Sequence, residues 1–145
     1  MFKRMCTGAV AMAASVVLTS CGASADPPAA APAGSGTVNV VSHRLVGAAE
    51  FATVIAESET LTVNVHVPYE GDIPGTDLLI PFDRVAEQSG RLPNDRDATI
   101  AIYCRTGPMS ATAAETLKNL GYTDVVELDG GMKAWQASGR PLVDN

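Results

Sequence analysis

The chain has 145 residues, a length that predicts a single folded domain once segments that do not fold are set aside. Sixteen acidic residues outnumber ten basic ones, which gives a net charge of −6, and the sequence has no basic stripe. Because an acidic domain repels nucleic acid and anionic lipid surfaces, the charge balance excludes nucleic acid as the partner.

The first twenty residues have the pattern of an export signal. Lys3 and Arg4 form a basic start, and an apolar run follows at residues 9–18. Ten helical residues reach only about 15 Å, half of a bilayer core, so this run predicts a signal peptide at residues 1–20 and not a spanning helix. Its removal leaves eight basic residues against the same sixteen acidic ones, a net charge of −8.

The signal segment ends in Leu18-Thr19-Ser20-Cys21. These residues resemble the lipobox of bacterial lipoproteins, in which an aliphatic residue and two small ones precede a lipidated cysteine. The resemblance implies that Cys21 is acylated and becomes the N-terminus, and that each buried methylene adds about 0.8 kcal/mol to the anchor. The protein would then be exported and lipid-anchored to the cell membrane or envelope, facing the periplasm or the exterior. An ordinary secreted protein with a cysteine near its cleavage site is the alternative.

Residues 21–36 are rich in alanine, proline, glycine and serine and contain no aromatic residue. Such a composition cannot bury a core, so we predict a flexible tether that would hold the following domain about 20 Å or more from a membrane. The folded domain is predicted at residues 37–145.

Segments with strand and helix patterns alternate along this domain. In chain order we predict a strand at 37–41, a helix at 48–56, strands at 61–67 and 78–80, a helix at 82–88, a strand at 99–103, a helix at 110–120, a strand at 125–128 and a helix at 132–138. Gly130 and Gly131 are predicted to shape the turn before the last helix. The alternation predicts an α/β fold with a mainly parallel sheet flanked by helices on both faces. Reactive groups collect at the carboxyl ends of strands in such sheets, and Cys104 directly follows the buried strand at 99–103.

Cys104 differs from the other two cysteines of the chain. Cys6 leaves with the signal peptide and Cys21 is the predicted lipid attachment site, so Cys104 is the free thiol expected in the mature protein. A buried, inert cysteine is the alternative. The loop after it, with Gly107 before a predicted helix, can turn backbone N–H groups toward an anion, and the helix dipole adds about half a positive charge. These features favour a thiolate, and Arg105 is the nearest cationic side chain.

Several motifs, in a consistent order and spacing, resemble those of a known family. They are Asp72-Ile73-Pro74-Gly75-Thr76, Cys104-Arg105-Thr106-Gly107 followed by Ser110, Leu120-Gly121-Tyr122-Thr123, and Leu128-Asp129-Gly130-Gly131-Met132-Lys133-Ala134-Trp135. Together they resemble the rhodanese-like domain over most of residues 38–142. The resemblance implies a single rhodanese-like domain acting as a sulfurtransferase.

The family's chemistry assigns roles to the loop. Cys104 would take a sulfane sulfur from a small anionic donor such as thiosulfate, become a transient persulfide, and pass the sulfur to a thiol or a cyanide-type acceptor. Backbone N–H groups of Arg105, Thr106, Gly107 and Met109 would form an anion cradle, and the Arg105 side chain could stabilise charge. No metal or organic cofactor is implied.

The loop departs from the family pattern at two positions. Many thiosulfate-using members carry a basic residue where this chain has Met109, and Pro108 has no N–H to contribute to the cradle. Both changes predict weaker binding of a dianionic donor. On the second strand, the family's Asp-Val-Arg is Asn64-Val65-His66.

Other functions need residues that this chain lacks or leaves unplaced. Phosphatases with a Cys-x5-Arg loop need an arginine where this chain has Ser110. A cysteine hydrolase needs a histidine base, and both His43 and His66 are predicted to be structural, although His66 ends a strand near the pocket edge. A metal site formed by Cys104, His66 and a carboxylate would not match any recognised spacing of metal ligands. The alternative that stays open is a rhodanese-like module that binds a partner or senses oxidants through Cys104 without turnover.

Overall fold

The computed structural model describes residues 42–144. The strands are β1 (Ser42–Val46), β2 (Leu61–Asn64), β3 (Leu78–Leu79), β4 (Ile100–Tyr103) and β5 (Asp124–Leu128), and the helices are α1 (Ala48–Val54), α2 (Pro108–Asn119) and α3 (Gly131–Ala137). The strands form one sheet in the order β1-β5-β4-β2-β3, and every neighbouring pair is parallel. The predicted α/β fold with a parallel sheet is confirmed.

The central strand, β4, sends its side chains alternately to the two faces of the sheet, as the period of a strand requires. Ile100, Ile102 and then Cys104 enter one hydrophobic cluster, while Ala101 and Tyr103 enter the other. All five residues are at most 1% exposed. The alternation therefore places the cysteine on a defined face of the sheet.

The helices cover both faces of the sheet, as predicted. On the face of Cys104, α2 contributes Ala113, Ala114 and Leu117 to the core. On the opposite face, Phe51 from α1 packs with Trp135 from α3, their ring centroids 6.4 Å apart. Each helix buries one stripe, so the two cores lie on either side of a sheet that is buried on both faces.

The second strand ends earlier than predicted because Asn64 bends the chain. Its Oδ1 accepts the N–H of His66 at 2.9 Å, while its Nδ2 donates to Asp72 Oδ1 at 2.8 Å and to the Gly71 carbonyl oxygen at 3.1 Å. A side chain that satisfies backbone groups in this way competes with a regular strand ladder. The chain therefore leaves β2 at Asn64 and not at residue 67.

The helix predicted at residues 82–88 is wrong. Arg84 N–H bonds to the Pro81 carbonyl and Gln88 N–H to the Arg84 carbonyl, so the segment is a series of turns. The regular element that follows is a single 3-10 turn at Ser89–Arg91. The hydrogen bonds switch between three- and four-residue spacing, and Gly90 disfavours a helical backbone, so the turns do not join into a regular helix.

Three predictions fall on residues that the structure does not describe. The signal peptide at 1–20, the tether at 21–36 and the strand at 37–41 lie outside residues 42–144, as does Cys21. The first strand within the described range is β1, which the sequence reading did not predict. Among residues 42–144 the longest helix has 12 residues, and none qualifies as a membrane-spanning segment.

Candidate active site around Cys104

Cys104 lies immediately beyond the carboxyl end of β4, between the strand and the N-terminus of α2. It is a free thiol and is 1% exposed. The neighbouring strands β5 and β2 end on either side of it. The predicted strand-cysteine-loop-helix arrangement is thus present, with Pro108 beginning the helix where its fixed φ suits the first turn.

Hydrogen bonds hold the Cys104 sulfur in the loop. The Gly107 N–H donates to Sγ at 3.0 Å, and Gly107 adopts a φ of +118° that favours glycine. Burial raises the pKa of Cys104, but hydrogen bonds to the sulfur outweigh it: one from the Ser110 hydroxyl where its proton is turned to Sγ, and those from the N–H groups of Ser110, Gly107 and Thr106. The net effect is a pKa below the ordinary value for cysteine, so the loop favours the thiolate.

Two members of the predicted cradle have side chains with contacts of their own. The Arg105 guanidinium forms an ion pair with Glu70, at the rim of the site. Met109 packs against the hydrophobic cluster under α2. Of the predicted cradle residues, Gly107 and Thr106 donate backbone N–H groups to the sulfur, while the cation of Arg105 is paired with a carboxylate.

Ser110 is a site residue whose role the sequence reading missed. Its hydroxyl oxygen lies 3.5 Å from Cys104 Sγ, 2.8 Å from the Gly107 carbonyl oxygen and 2.6 Å from Glu127 Oε1. Glu127 Oε2 in turn lies 2.8 Å from His43 Nε2. One signal was available in the sequence, since Glu127 is a charged residue within the apolar strand at 125–128.

The N-terminus of α3 is hydrogen-bonded to the backbone of the cysteine loop. Met132 N–H donates to the Cys104 carbonyl oxygen at 2.9 Å, and Lys133 N–H donates to the Arg105 carbonyl oxygen at 3.1 Å. Gly131, with a φ of +57°, lies so close that a β-carbon there would overlap the Cys104 carbonyl oxygen. The Gly130-Gly131 pair therefore does more than turn the chain, because it allows the helix to dock against the loop.

The two histidines have different surroundings, and neither is bonded to Cys104. His43 contacts Glu127, as described above. His66 is buried next to the rim, with Nε2 3.9 Å from Glu70 Oε2 and no hydrogen bond to either ring nitrogen from residues 42–144. Burial, and secondly the positive charge of Arg105, lower the pKa of His66. Its imidazole is therefore neutral near neutral pH.

A cavity of about 260 Å³ opens beside the cysteine loop. Its lining is mixed in charge and consists of Glu70, Arg105, Met132, Lys133, Gln136 and Leu142. It could admit a small polar molecule next to the loop. Within residues 42–144, no group of His, Cys, Asp and Glu side chains is arranged to hold a metal ion.

This parallel α/β sheet carries a buried, hydrogen-bonded thiol at the end of its central strand. The arrangement is the one expected of a domain that works through a cysteine. The family model for the rhodanese-like domain matches residues 48–138 of this chain. The chain therefore belongs to the rhodanese-like domain family.

Individual relatives agree with this assignment. A sulfurtransferase of Allochromatium vinosum is 37% identical over 93 residues, which cover 61% of this chain and 84% of that protein. The thiosulfate sulfurtransferase PspE of Escherichia coli is 32% identical over 80 residues, which cover 55% of this chain and 76% of that protein. The crystal structure of a rhodanese-related protein from Thermoplasma volcanium superposes with a TM-score of 0.60 at 30% identity, covering 70% of this chain and 99% of that one. The partners that this sulfurtransferase family implies are a sulfur donor and a thiol acceptor.

Proposed function

We propose that this domain is a sulfurtransferase in which Cys104 carries the sulfur as a persulfide. The observation that supports this most directly is the Gly107 N–H at 3.0 Å from Cys104 Sγ, in a loop whose hydrogen bonds lower the pKa of the thiol. A thiolate held by N–H donors is a ready nucleophile, and the same donors can stabilise the anionic persulfide that replaces it.

The reaction divides into two displacements. The Cys104 thiolate attacks the outer sulfur of thiosulfate, the sulfur–sulfur bond of the donor breaks, and sulfite leaves with the bonding electron pair. The product is a cysteine persulfide anion. A cyanide ion or a thiolate then attacks the outer sulfur of the persulfide, and thiocyanate or a new persulfide leaves while the Cys104 thiolate is restored. Charge balances in both steps, and no other reactant is required.

Thiosulfate is the donor in the name of the relative PspE, but the loop of this chain offers it little positive charge. Position 109 is methionine and packs against the core, and Arg105 is paired with Glu70, which leaves Lys133 as the other cation in the lining of the adjoining cavity. We therefore propose that thiosulfate is a poor donor and that a less charged sulfane sulfur, such as the end of a polysulfide, is a better one.

Intact-mass spectrometry tests this function directly. The purified domain is incubated with thiosulfate or with polysulfide and weighed, and cyanide is then added and thiocyanate measured. A gain of one sulfur that cyanide removes, and that is absent in Cys104→Ser, supports the proposal. If no donor adds sulfur to Cys104, the transfer function is wrong.

The same loop features also favour a second function. A thiol that is easily ionised but poor at recruiting a dianion could bind a partner or sense oxidants without turnover. In that case the domain would gain oxygen or a mixed disulfide at Cys104 when treated with peroxide, and would form no thiocyanate with any donor.

We also propose that the protein is exported and held to a membrane by lipid on Cys21. The support is the sequence Leu18-Thr19-Ser20-Cys21 after the apolar run. Cys21→Ala should release the protein from the membrane fraction and abolish incorporation of a labelled fatty acid. Unchanged membrane retention of the variant would contradict the anchor.

A further inference from the structure

Glu127 is a buried carboxylate that the proposed sulfur transfer does not use. It lies on β5, next to the strand that carries Cys104, and is 3% exposed. One of its oxygens accepts the Ser110 hydroxyl at 2.6 Å, and the other lies 2.8 Å from His43 Nε2. With Ser110 Oγ 3.5 Å from Sγ, a continuous polar path joins the thiol to the partly exposed imidazole of His43.

The Ser110 hydroxyl has a single proton and three acceptors around it. They are Glu127 Oε1 at 2.6 Å, the Gly107 carbonyl oxygen at 2.8 Å and Cys104 Sγ at 3.5 Å. An ionised carboxylate is the strongest of these acceptors and also makes the shortest contact. While Glu127 is ionised, the proton therefore points to the carboxylate, and a lone pair of Oγ faces the sulfur.

This orientation treats the two forms of Cys104 differently. A thiol can donate its S–H to the oxygen of Ser110, which already donates to Glu127. A thiolate meets a lone pair there and has a second negative charge beyond it. The hydroxyl can stabilise the thiolate only by turning away from Glu127, which leaves a buried carboxylate oxygen without that donor.

We propose that Glu127 is a positioning residue that restrains thiolate formation at Cys104 by competing with the sulfur for the one proton of the Ser110 hydroxyl. When the charge of Glu127 is removed, the hydroxyl turns to the sulfur and joins the Gly107 N–H as a donor. The proposal rests on the proposed function only in taking Cys104 as the reacting group.

The strength with which Glu127 holds the Ser110 proton depends on the charged and ionisable groups around its carboxylate. From β1, His43 contacts the carboxylate and is itself 27% exposed, so it connects the buried acid to the solvent. From α2, Glu115 interacts electrostatically with His43 and is paired with Lys118 at 2.9 Å. From the loop after β4, Cys104 completes the set. A charge on His43 therefore weakens the hold of Glu127 on the Ser110 proton.

Alkylation of Cys104 by iodoacetamide as a function of pH tests the proposal, because the rate follows the thiolate fraction and needs no sulfur donor. For Glu127→Gln we expect the midpoint to fall by about one pH unit, the effect of one added hydrogen bond to a charged group. Glu59→Gln, which removes an exposed carboxylate from the turns before β2, should leave the midpoint unchanged. An unchanged or higher midpoint in Glu127→Gln overturns the proposal.

Ser110→Ala provides a second reading that does not depend on how well Glu127→Gln folds. If the hydroxyl proton is committed to Glu127, its loss leaves the alkylation midpoint nearly unchanged. If the hydroxyl donates to the thiolate in the native protein, the midpoint rises by about one pH unit and the proposal is wrong. In the Ser110→Ala background, most of the shift in midpoint caused by Glu127→Gln should disappear. A full shift in the double variant would mean that the charge of Glu127 acts directly on the thiol, and it would overturn the proposal that the two groups compete for the Ser110 proton. These outcomes are readable even if no sulfur transfer is found.

Discussion

Gly131 lies against the carbonyl oxygen of Cys104, at a distance where a β-carbon could not fit. The close approach allows Met132 N–H to bond that carbonyl and fixes the backbone of the cysteine loop from the side opposite α2. The conformation of the reactive loop therefore depends on a residue 27 positions later in the chain.

Gly131→Ala should disrupt the site more than a positive φ alone would explain. We expect a loss of about 3 kcal/mol or more in the free energy of unfolding, because the methyl group adds overlap with the loop backbone to the backbone strain. Gly139→Ala is the matched control, since Gly139 also has a positive φ, of +83°, but no atom lies within 4 Å of its β-carbon position. Urea unfolding measures both variants, and equal losses would contradict the steric argument.

Tyr103→Phe tests the polar centre on the other face of the sheet. The Tyr103 hydroxyl accepts the N–H of Ile73 at 3.0 Å and donates to Asp72 Oδ1 at 3.1 Å, and all three residues are buried. Burial raises the pKa of Tyr103, so the hydroxyl stays protonated and able to donate. Its removal leaves a buried N–H without this acceptor, and we expect a loss of about 1–3 kcal/mol in unfolding free energy.

The control for this change is Tyr122→Phe, in which the lost hydroxyl donates to the Pro93 carbonyl oxygen at 2.7 Å. We expect about 1 kcal/mol there, the contribution of an ordinary hydrogen bond. Urea unfolding would contradict the interpretation if Tyr122→Phe proved as costly as Tyr103→Phe.

His66 predicts a dependence of stability on pH. Its pKa is lowered in the folded state, by burial and then by Arg105, so near pH 6 the unfolded chain binds more protons than the folded one. Stability is therefore lost as the pH falls from the unfolded pKa toward the folded one, by up to about 1 kcal/mol over the first pH unit. His66→Gln should remove this part of the slope in urea unfolding across the range. Parallel slopes in the two proteins would show that His66 is not the group responsible.

Glu70→Gln should improve the use of an anionic donor. The substitution frees the Arg105 guanidinium, which is 41% exposed and adjoins the cavity beside the loop. We expect the kcat/KM for thiosulfate to rise about two- to fivefold, in line with one exposed charge pair, while that for a polysulfide changes less. Glu57→Gln, which removes an exposed carboxylate after α1, is the comparison. A fall in thiosulfate use would mean that the pair itself holds the loop in its active form.

Much of the fold could be predicted because its strongest signals are local. The apolar run before Cys104 and the alanine- and leucine-rich face of α2 have clear periods, and both elements lie where the sequence placed them within two residues. The strand β1 was missed because Ser42, His43 and Arg44 are polar and mostly exposed, and its register is set by pairing with β5. That pairing is not visible in a local pattern.

The candidate site likewise has a part that could be predicted from the sequence and a part that could not. Cys104 and the turn at Gly107 are contiguous in the sequence, and the motif around them could be read directly. The contacts of Ser110 with Glu127, and of Glu70 with Arg105, join residues 17 and 35 positions apart, and only the folded sheet brings them together. The sequence therefore indicated the candidate nucleophile, whereas the side chains that surround it and line its approach became visible only in the structure.

The pairing of Arg105 with Glu70 also affects how often a donor meets the thiol. Electrostatic attraction raises the encounter rate of an anionic donor with a protein only where the protein surface has excess positive charge. The effect disappears as salt screens the charges. Here the Arg105 guanidinium is paired with Glu70, which leaves Lys133 as the other cation of the cavity lining, on a chain whose net charge is −6. Added salt should therefore speed the encounter with a dianion slightly and not slow it. We expect a domain with this charge pattern to gain little rate from long-range attraction of dilute anions, so that its encounters with an anionic donor would follow the local concentration of that donor.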